Sequence, residues 1–534
     1  MHVPIGLLSL GLALHPRPSQ ATPSNVASCH DIPPPNVPGA IVKSFTSRVY
    51  RDHSVSALPP TLLQNVTHLN ICEINITLSH WYEDDSVLVQ TWLPLHDWNS
   101  RYVAIGGGAW AAGLGQFDLA LPASQGYAVS STNAGLSGNP VDPSDWALKA
   151  DGTVNTGLLT NFASRSVHDM AVVGKAVTAS FYKKPAKHAF FNGCSTGGRQ
   201  GLATAQQYPH DFDGILAGAP AIYWTKYVIA ELWPQVVMKE ANYYLSPCEA
   251  DAFVKAAVKA CDKKDGISDE VITDPFACDF DPSTLVDRKV KCSKALVKIT
   301  RKAASVVSKI WAGPPDSTGK SLWYGIPKGA SLSALAASKT VNGTTVGDPF
   351  FVADTWVRDF VKADPSFDST QLNSASFAAL FYESRDKFSQ IMDSANPNLL
   401  PFKRAGGKLI VWHGLDDQLI FPQDSIHYFK EVEKVLEKQG QSSDLTKFFR
   451  LFLAPGVDHC GFGPSPGAVP TDPFGALLAW VEDGKPPQSL AAHTKLDASA
   501  QFSRKICSYP SVAKYNGNGD PRDAKNFSCV TKHE

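Results

Sequence analysis

The chain has 534 residues, long enough for more than one structural unit, and its 43% hydrophobic content with 12 Trp and 27 Phe can fill a large core. With 49 basic against 50 acidic residues the net charge is −1, so nothing marks nucleic acid or an anionic membrane surface as a partner.

The N-terminus carries the apolar run Ile5 to Leu14, followed by small residues up to Ala21. This reads as a secretory signal over residues 1–21, too short to span a bilayer. No later run is long enough for a membrane span. The cysteine count is even, at 10, and sequons fall at Asn65, Asn75, Asn342 and Asn526. Together these point to a secreted, disulfide-bonded, glycosylated protein.

From Cys29 to His80 the sequence reads as short strands and turns, with Leu69 to Ile74 alternating like a strand. Val87 to Pro94 is a strand ended by its proline. Arg101 to Ile105 is a buried strand running into Gly106-Gly107-Gly108-Ala109-Trp110. Glycine lets a backbone come close to a substrate oxygen, and a loop of this kind after an early strand can offer an N–H to an oxyanion. Either Gly108 or Ala109 would supply it. A phosphate-binding loop would need the GxxxxGK[ST] pattern, which is absent.

Gly126 to Thr132 is a further strand. Ser164 to Tyr182 reads as an amphipathic helix presenting Val167, Met170, Ala171, Val173, Val177 and Phe181. His168 on this helix reads as structural.

The run His188 to Phe191 then enters Gly193-Cys194-Ser195-Thr196-Gly197, and a helical run leaves it from Arg199 to Tyr208. Strand, G-x-S-x-G turn and helix form a nucleophile elbow, which strains the backbone and lifts the serine to the helix N-terminus. Ser195 is the candidate nucleophile, and the Thr196 N–H is free to hold an oxyanion. The alternation of strands and helices is that of an α/β sheet.

Phe212 to Pro220 is the next strand and its exit. From residue 221 to 401 the alternation stops, and the sequence reads as a helical, irregular lid domain inserted into the sheet. Within it, Asp262, Asp265 and Asp269 cluster around the turn residue Gly266. Two readings stay open here: a calcium loop of carboxylates and carbonyls, or a solvated acidic turn with an Asp-capped helix. It is not an EF-hand.

Lys408 to Pro422 returns to the sheet as a strand ending in a turn with Asp416 and Asp417. Either could orient a histidine. The spacing from His413-Gly414, similar to that of other hydrolases, favours Asp417 and leaves Asp416 as a solvated loop charge. Phe449 to Gly461 is the last strand, and its loop carries His459. His427 falls on a predicted helix, and His493 and His533 fall in the polar tail. The chain order Ser195, Asp417, His459 is that of an α/β-hydrolase triad.

Cys194 precedes the serine and Cys460 follows the histidine. If nucleophile and base meet, these two sulfurs are close enough to bond and clamp them. Phe474 to Asp483 is a closing helix. Cys507 and Cys529 in the tail read as a pair.

These motifs resemble the secreted fungal tannase and feruloyl esterase family of α/β-hydrolases. The resemblance rests on Gly193 to Gly201, Asp211 to Ala221, the His413-Gly414 to Asp417 turn, and Pro455 to Cys460. It implies a discontinuous catalytic domain over residues 22–220 and 402–534, with the lid over 221–401. It implies a Cys194–Cys460 bridge and a Cys261–Cys278 bridge. It also implies a lid calcium held by Asp262, Asp265, Asp269 and the carbonyls of Ile267 and Val271, with no organic cofactor.

The implied reaction is hydrolysis of hydroxycinnamoyl or galloyl esters. Trp311, Trp323, Tyr324, Phe350, Phe351 and Trp356 are candidates to face a phenolic ring. The chain departs from the family in three places. Ala109 and Ala112 stand where glycine is expected. Asn133-Ala134-Gly135-Leu136 replaces Asp-x-Gly-His. A cysteine near Val297 is missing, so the inferred pairings are Cys248–Cys292 and Cys29–Cys72. The expectation is a feruloyl esterase acting on phenolic esters of plant polysaccharide. The alternatives are a tannase and a non-catalytic binding protein on a hydrolase fold.

Overall fold

The computed structural model describes residues 28–531 apart from 60, 294, 496, 497 and 499. The expected signal segment and His533 lie outside the described residues. The strands are β1 (Ala40–Val55), β2 (Val66–His80), β3 (Val87–Pro94), β4 (Arg101–Ile105), β5 (Ala128–Thr132), β6 (His188–Cys194) and β7 (Gly214–Gly218). Two hairpins follow, β8 (Lys289–Cys292) with β9 (Ala295–Lys298) and β10 (Ser338–Val341) with β11 (Thr344–Gly347). The chain then returns through β12 (Lys408–Gly414) and β13 (Phe449–Ala454).

One nine-stranded sheet runs in the order β1-β2-β3-β5-β4-β6-β7-β12-β13. The first strands pair antiparallel, and every pairing from β5 to β13 is parallel. After β4 the chain steps outward to β5, and after β6 it steps the other way to β7. Loops leaving β4 and β6 therefore part at the carboxyl ends of neighbouring strands, which is where an open α/β sheet places its ligand crevice. This is the α/β-hydrolase arrangement.

The parallel strands read as continuous apolar runs because both of their faces are covered; β5 and β7 are buried throughout. The helix Ser166–Tyr182 buries Val167, Met170, Ala171, Val173, Val177 and Phe181, the face that periodicity picked out. Each such side chain contributes about 1.5–3 kcal/mol on burial. The helix continues a π-helical turn at Asn161–Arg165, itself preceded by the short helix Thr156–Thr160. His168 on this helix is structural: its Nδ1 lies 2.8 Å from the Asp211 carboxylate and its ring stacks on Tyr208.

The N-terminal segment differs from expectation. It is not a set of short strands but a hairpin of 16- and 15-residue strands. Register shifts between Val42 and Ser44 and between Tyr50 and His53 break the alternation of β1, which hides one long strand in the sequence. The tail also has structure that its polarity did not reveal. His493 ends strand Ser489–His493, which pairs with Ser503–Cys507.

Five disulfides join Cys29–Cys72, Cys194–Cys460, Cys248–Cys292, Cys261–Cys278 and Cys507–Cys529, and no cysteine is free. No helix among the described residues is long and apolar enough to cross a membrane.

Candidate active site

The elbow comes first. Ser195 sits between β6 and the helix Thr196–Gln207 with φ 63° and ψ −123°. That conformation costs a non-glycine residue about 1–3 kcal/mol and is characteristic of functional turns. It survives because the turn is held on both sides. The Ser195 N–H donates to the Gly218 carbonyl at 2.9 Å, and its own carbonyl accepts from Arg199 at 3.0 Å. A Cβ on Gly193 would lie 2.7 Å from backbone atoms of Gly197, so only glycine lets strand and helix pass this closely. Ser195 is half-buried, at the mouth of the crevice.

The elbow helix is anchored by Arg199, whose guanidinium donates to the carbonyls of Ala163 and Phe162 at 2.8 and 3.1 Å and lies over the Phe162 and Trp224 rings. Burial pushes it down to about 10, which still leaves it charged at neutral pH.

The glycine loop leaves β4 beside the elbow. Of the two donors the sequence left open, Gly108 is excluded: its N–H is spent on the Ala111 carbonyl at 3.0 Å. The Gly107 N–H goes to Gln200 Oε1. Ala109 takes φ 47°, and the Thr196 hydroxyl donates to its carbonyl at 2.8 Å, fixing the peptide against the elbow. The N–H groups of Ala109 and Thr196 remain as the candidate oxyanion donors.

Asp417 and His459 arrive from the turns after β12 and β13. His459 Nδ1 lies 2.7 Å from Asp417 Oδ2, and the His459 backbone N–H donates to Gln418 Oε1 at 3.0 Å. The other carboxylate oxygen accepts from the N–H groups of Leu419 and Ile420. Burial alone would raise the Asp417 carboxyl, but His459 and His413 outweigh it and hold it well below the usual carboxylate range. The charged carboxylate fixes the proton of His459 on Nδ1, leaving Nε2 as the basic nitrogen.

Cys460 follows in a left-handed conformation, φ 54°, and its disulfide with Cys194 brings the two turns together with Cα atoms 6.2 Å apart. Closing a loop of 266 residues destabilises the unfolded chain by about 5 kcal/mol in the chain-entropy picture. His459 Nε2 faces the Cys460 sulfur at 3.6 Å, and no hydrogen bond joins it to the Ser195 hydroxyl in this structure. Nucleophile–base contacts are commonly loose without substrate.

Asp416 is not the solvated charge that the sequence suggested. It is 3% exposed, a Cβ on Gly329 would lie 2.8 Å from its Oδ1, and Oδ1 has no partner among the described residues. Burial and the nearby Asp458 push it well above the ordinary range, and His459 is bonded to Asp417 instead. Sequence reasoning also missed His413, whose Nε2 lies 3.0 Å from Asp417 Oδ2. Its signal was present: four residues separate it from Asp417 across a tight turn.

The ring candidates divide. Trp356 is fully buried, and its indole N–H donates to Ser384, so it belongs to the core. Trp323 packs on Tyr223 at 5.4 Å, two residues beyond Ala221, whose N–H reaches the Ser195 carbonyl.

The acidic loop offers hard oxygen donors of the kind calcium takes. Asp262 accepts from Ser268 and Asp269, Asp265 from Ile267 and Thr273, and Asp269 pairs with Arg504. Burial raises Asp269, Arg504 opposes the rise, and Asp265 and Asp262 add to it. In donor type the loop fits a divalent cation, while Arg504 already balances Asp269. Among the described residues no three ligating side chains converge. A cavity of about 670 Å³ opens beside the loop, lined in part by Ile267, Val271, Leu415 and Tyr509 and by none of the three triad candidates.

The profile of the family described as "Tannase and feruloyl esterase" matches residues 76–530. A "Probable feruloyl esterase" of Arthroderma benhamiae is 46% identical over 538 residues, covering 98% of this chain and 99% of that one. The solved structure of tannin acyl hydrolase from Aspergillus niger aligns with a TM-score of 0.84 at 26% identity, over 96% of this chain and 97% of the other. Feruloyl esterase B from Aspergillus oryzae aligns at 0.77 with 27% identity, over 93% and 97%. The chain belongs to the tannase and feruloyl esterase family, and it is a carboxylic ester hydrolase.

Proposed function

We propose that the chain is a secreted feruloyl-type esterase that cleaves hydroxycinnamoyl esters of plant polysaccharide through Ser195, His459 and Asp417. One observation carries the reading: the Asp417–His459 couple is tied by the Cys194–Cys460 disulfide to the strained elbow bearing Ser195. Ser195 Oγ attacks the ester carbonyl as His459 Nε2 takes its proton. The N–H groups of Thr196 and Ala109 hold the oxyanion. His459 then gives the proton to the leaving alcohol, and water releases the acid by the same steps in reverse. Asp417 stabilises the imidazolium without becoming protonated.

The 46% identity to a probable feruloyl esterase favours this substrate class. The 0.84 alignment with tannin acyl hydrolase favours a galloyl ester as the second reading. A galloyl pocket needs more polar partners for ring hydroxyls. Rates on methyl ferulate and methyl gallate separate the two, and a clear preference for gallate overturns the first.

Calcium on Asp262, Asp265, Asp269 and the carbonyls of Ile267 and Val271 would stabilise the lid segment and supply no reaction chemistry. Secretion is supported by five disulfides with no free thiol. Of the four sequons, Asn65 and Asn342 are exposed and suit glycosylation best. Asn75 is half-buried within β2, and the Asn526 amide donates to the Asp520 carbonyl.

A further inference from the structure

One carboxylate oxygen serves two imidazoles. Asp417 Oδ2 lies 2.7 Å from His459 Nδ1 and 3.0 Å from His413 Nε2. His413 is wholly buried at the end of β12. Its Nε2 also lies 2.9 Å from the Ile420 carbonyl, and its Nδ1 lies 2.8 Å from the Ser425 hydroxyl. Both partners of Nε2 are acceptors, so that nitrogen carries a proton. In the neutral ring Nδ1 then accepts from Ser425, whose hydroxyl can take either role, so the two acceptors on Nε2 set the tautomer. With Leu419 and Ile420 on Oδ1, the buried carboxylate receives four donors and needs no water.

The surrounding charges isolate this arrangement. Asp416 and Asp458 lie on the two turns, Asp424 on the helix Gln423–Glu437, and Glu231 beyond the helix Trp224–Ala230. Burial raises all four, well above the ordinary range for Asp416, Asp424 and Glu231. Asp417 differs from all four: its two imidazole partners outweigh burial and hold it below the usual carboxylate range.

We infer that His413 is a positioning residue for the esterase reaction, fixing the Asp417 carboxylate and sharing its charge between two imidazoles. The inference rests on the triad reading above. A carboxylate that already accepts an imidazole N–H attracts the second imidazolium less strongly. Without His413, Asp417 is both freer to rotate and more negative toward His459. The catalytic histidine is then less well aligned.

The test uses the full chain with His413→Phe, His413→Gln and Ser425→Ala. The pH profile of kcat/KM on methyl ferulate is measured on samples whose folded fraction is set by circular dichroism. In His413→Phe, kcat should fall about tenfold or more while KM changes by less than about twofold. The acid limb should move up by about half a pH unit. His413→Gln restores a donor near Nε2 and should recover much of both. Ser425→Ala should move the limb the same way by less. Should His413→Phe fail to fold, the other two variants decide. An acid limb unmoved in every variant that folds, with rates that follow only the folded fraction, overturns the inference. Ser195→Ala run beside them separates the failures: hydrolysis surviving that change sinks the triad reading, whereas its loss with wild-type profiles at 413 and 425 sinks this inference alone.

Discussion

Two buried clusters in this molecule combine imidazole and carboxylate in opposite ratios. At the carboxyl end of the sheet, one carboxylate, Asp417, serves His459 and His413. At the end of β2, one imidazole, His80, lies between two carboxylates, with Nδ1 2.6 Å from Asp85 and Nε2 3.0 Å from Asp169. Burial alone would lower His80, but its bonds to Asp169 and Asp85 outweigh that and push it up to about 9. Both of its nitrogens are consumed, so it is a fixed cation that holds β2 to the helix Ser166–Tyr182. His459 has a carboxylate at Nδ1 alone, and in the proposed mechanism its Nε2 takes the proton. The ratio of donors to acceptors, not the residue types, separates the structural histidine from the chemical one.

The comparison breaks most sharply at the chemical cluster. Ser195→Ala and Asp417→Asn should each lower kcat by about 10³–10⁴ or more, the first with little change in melting temperature and the second with a fall, since an amide cannot accept all four donors. A steady-state assay on purified variants checks this, and a Ser195→Ala enzyme of near-normal rate refutes it. At the structural cluster the effect moves to stability. His80→Leu leaves two buried carboxylates facing each other and should cost about 3–5 kcal/mol in denaturant unfolding while sparing kcat per folded molecule.

The pH dependence has a definite sign. The folded-state value of His80 is raised above the unfolded value of 6.5. Its contribution is therefore complete below about 6.5 and is lost as pH rises through about 9. Wild-type chain should lose stability across that window, and His80→Leu should lose less there.

The acidic loop extends the comparison to carboxylates with no imidazole, one of which, Asp269, is paired with Arg504. Chelation should lower stability by about 3 kcal/mol relative to calcium at a hundred times its Kd, with kcat at low temperature changed less. An unchanged melting temperature removes the metal. The smallest effect on rate concerns the clamp. Cys194→Ala with Cys460→Ala should lower kcat per folded molecule about tenfold, since the triad loops lose their covalent register, beside a stability loss of up to about 5 kcal/mol. Full activity in that double variant shows that the sulfurs add stability only.

Much of this was legible in the sequence because it is local. The elbow is a short word between a strand and a helix, the Ser166–Tyr182 helix face has a simple period, and the cysteines beside Ser195 and His459 carry long-range information in local text. What was hidden depends on distance. Asp169, which neutralises His80, is 89 residues away. Asp416 looked solvated because nothing in its neighbours announces that Gly329 covers it. The Gly108 N–H looked available until the loop's own turn consumed it.

The central claim is that Ser195 is the nucleophile served by the shared-carboxylate base. Labelling the intact enzyme with a serine-reactive phosphonate ester, followed by peptide mass spectrometry, tests it directly. The account predicts one adduct, on the peptide bearing Ser195, forming in step with loss of hydrolysis. Hydrolysis that persists after complete modification of that peptide, or inactivation with the adduct elsewhere, contradicts it.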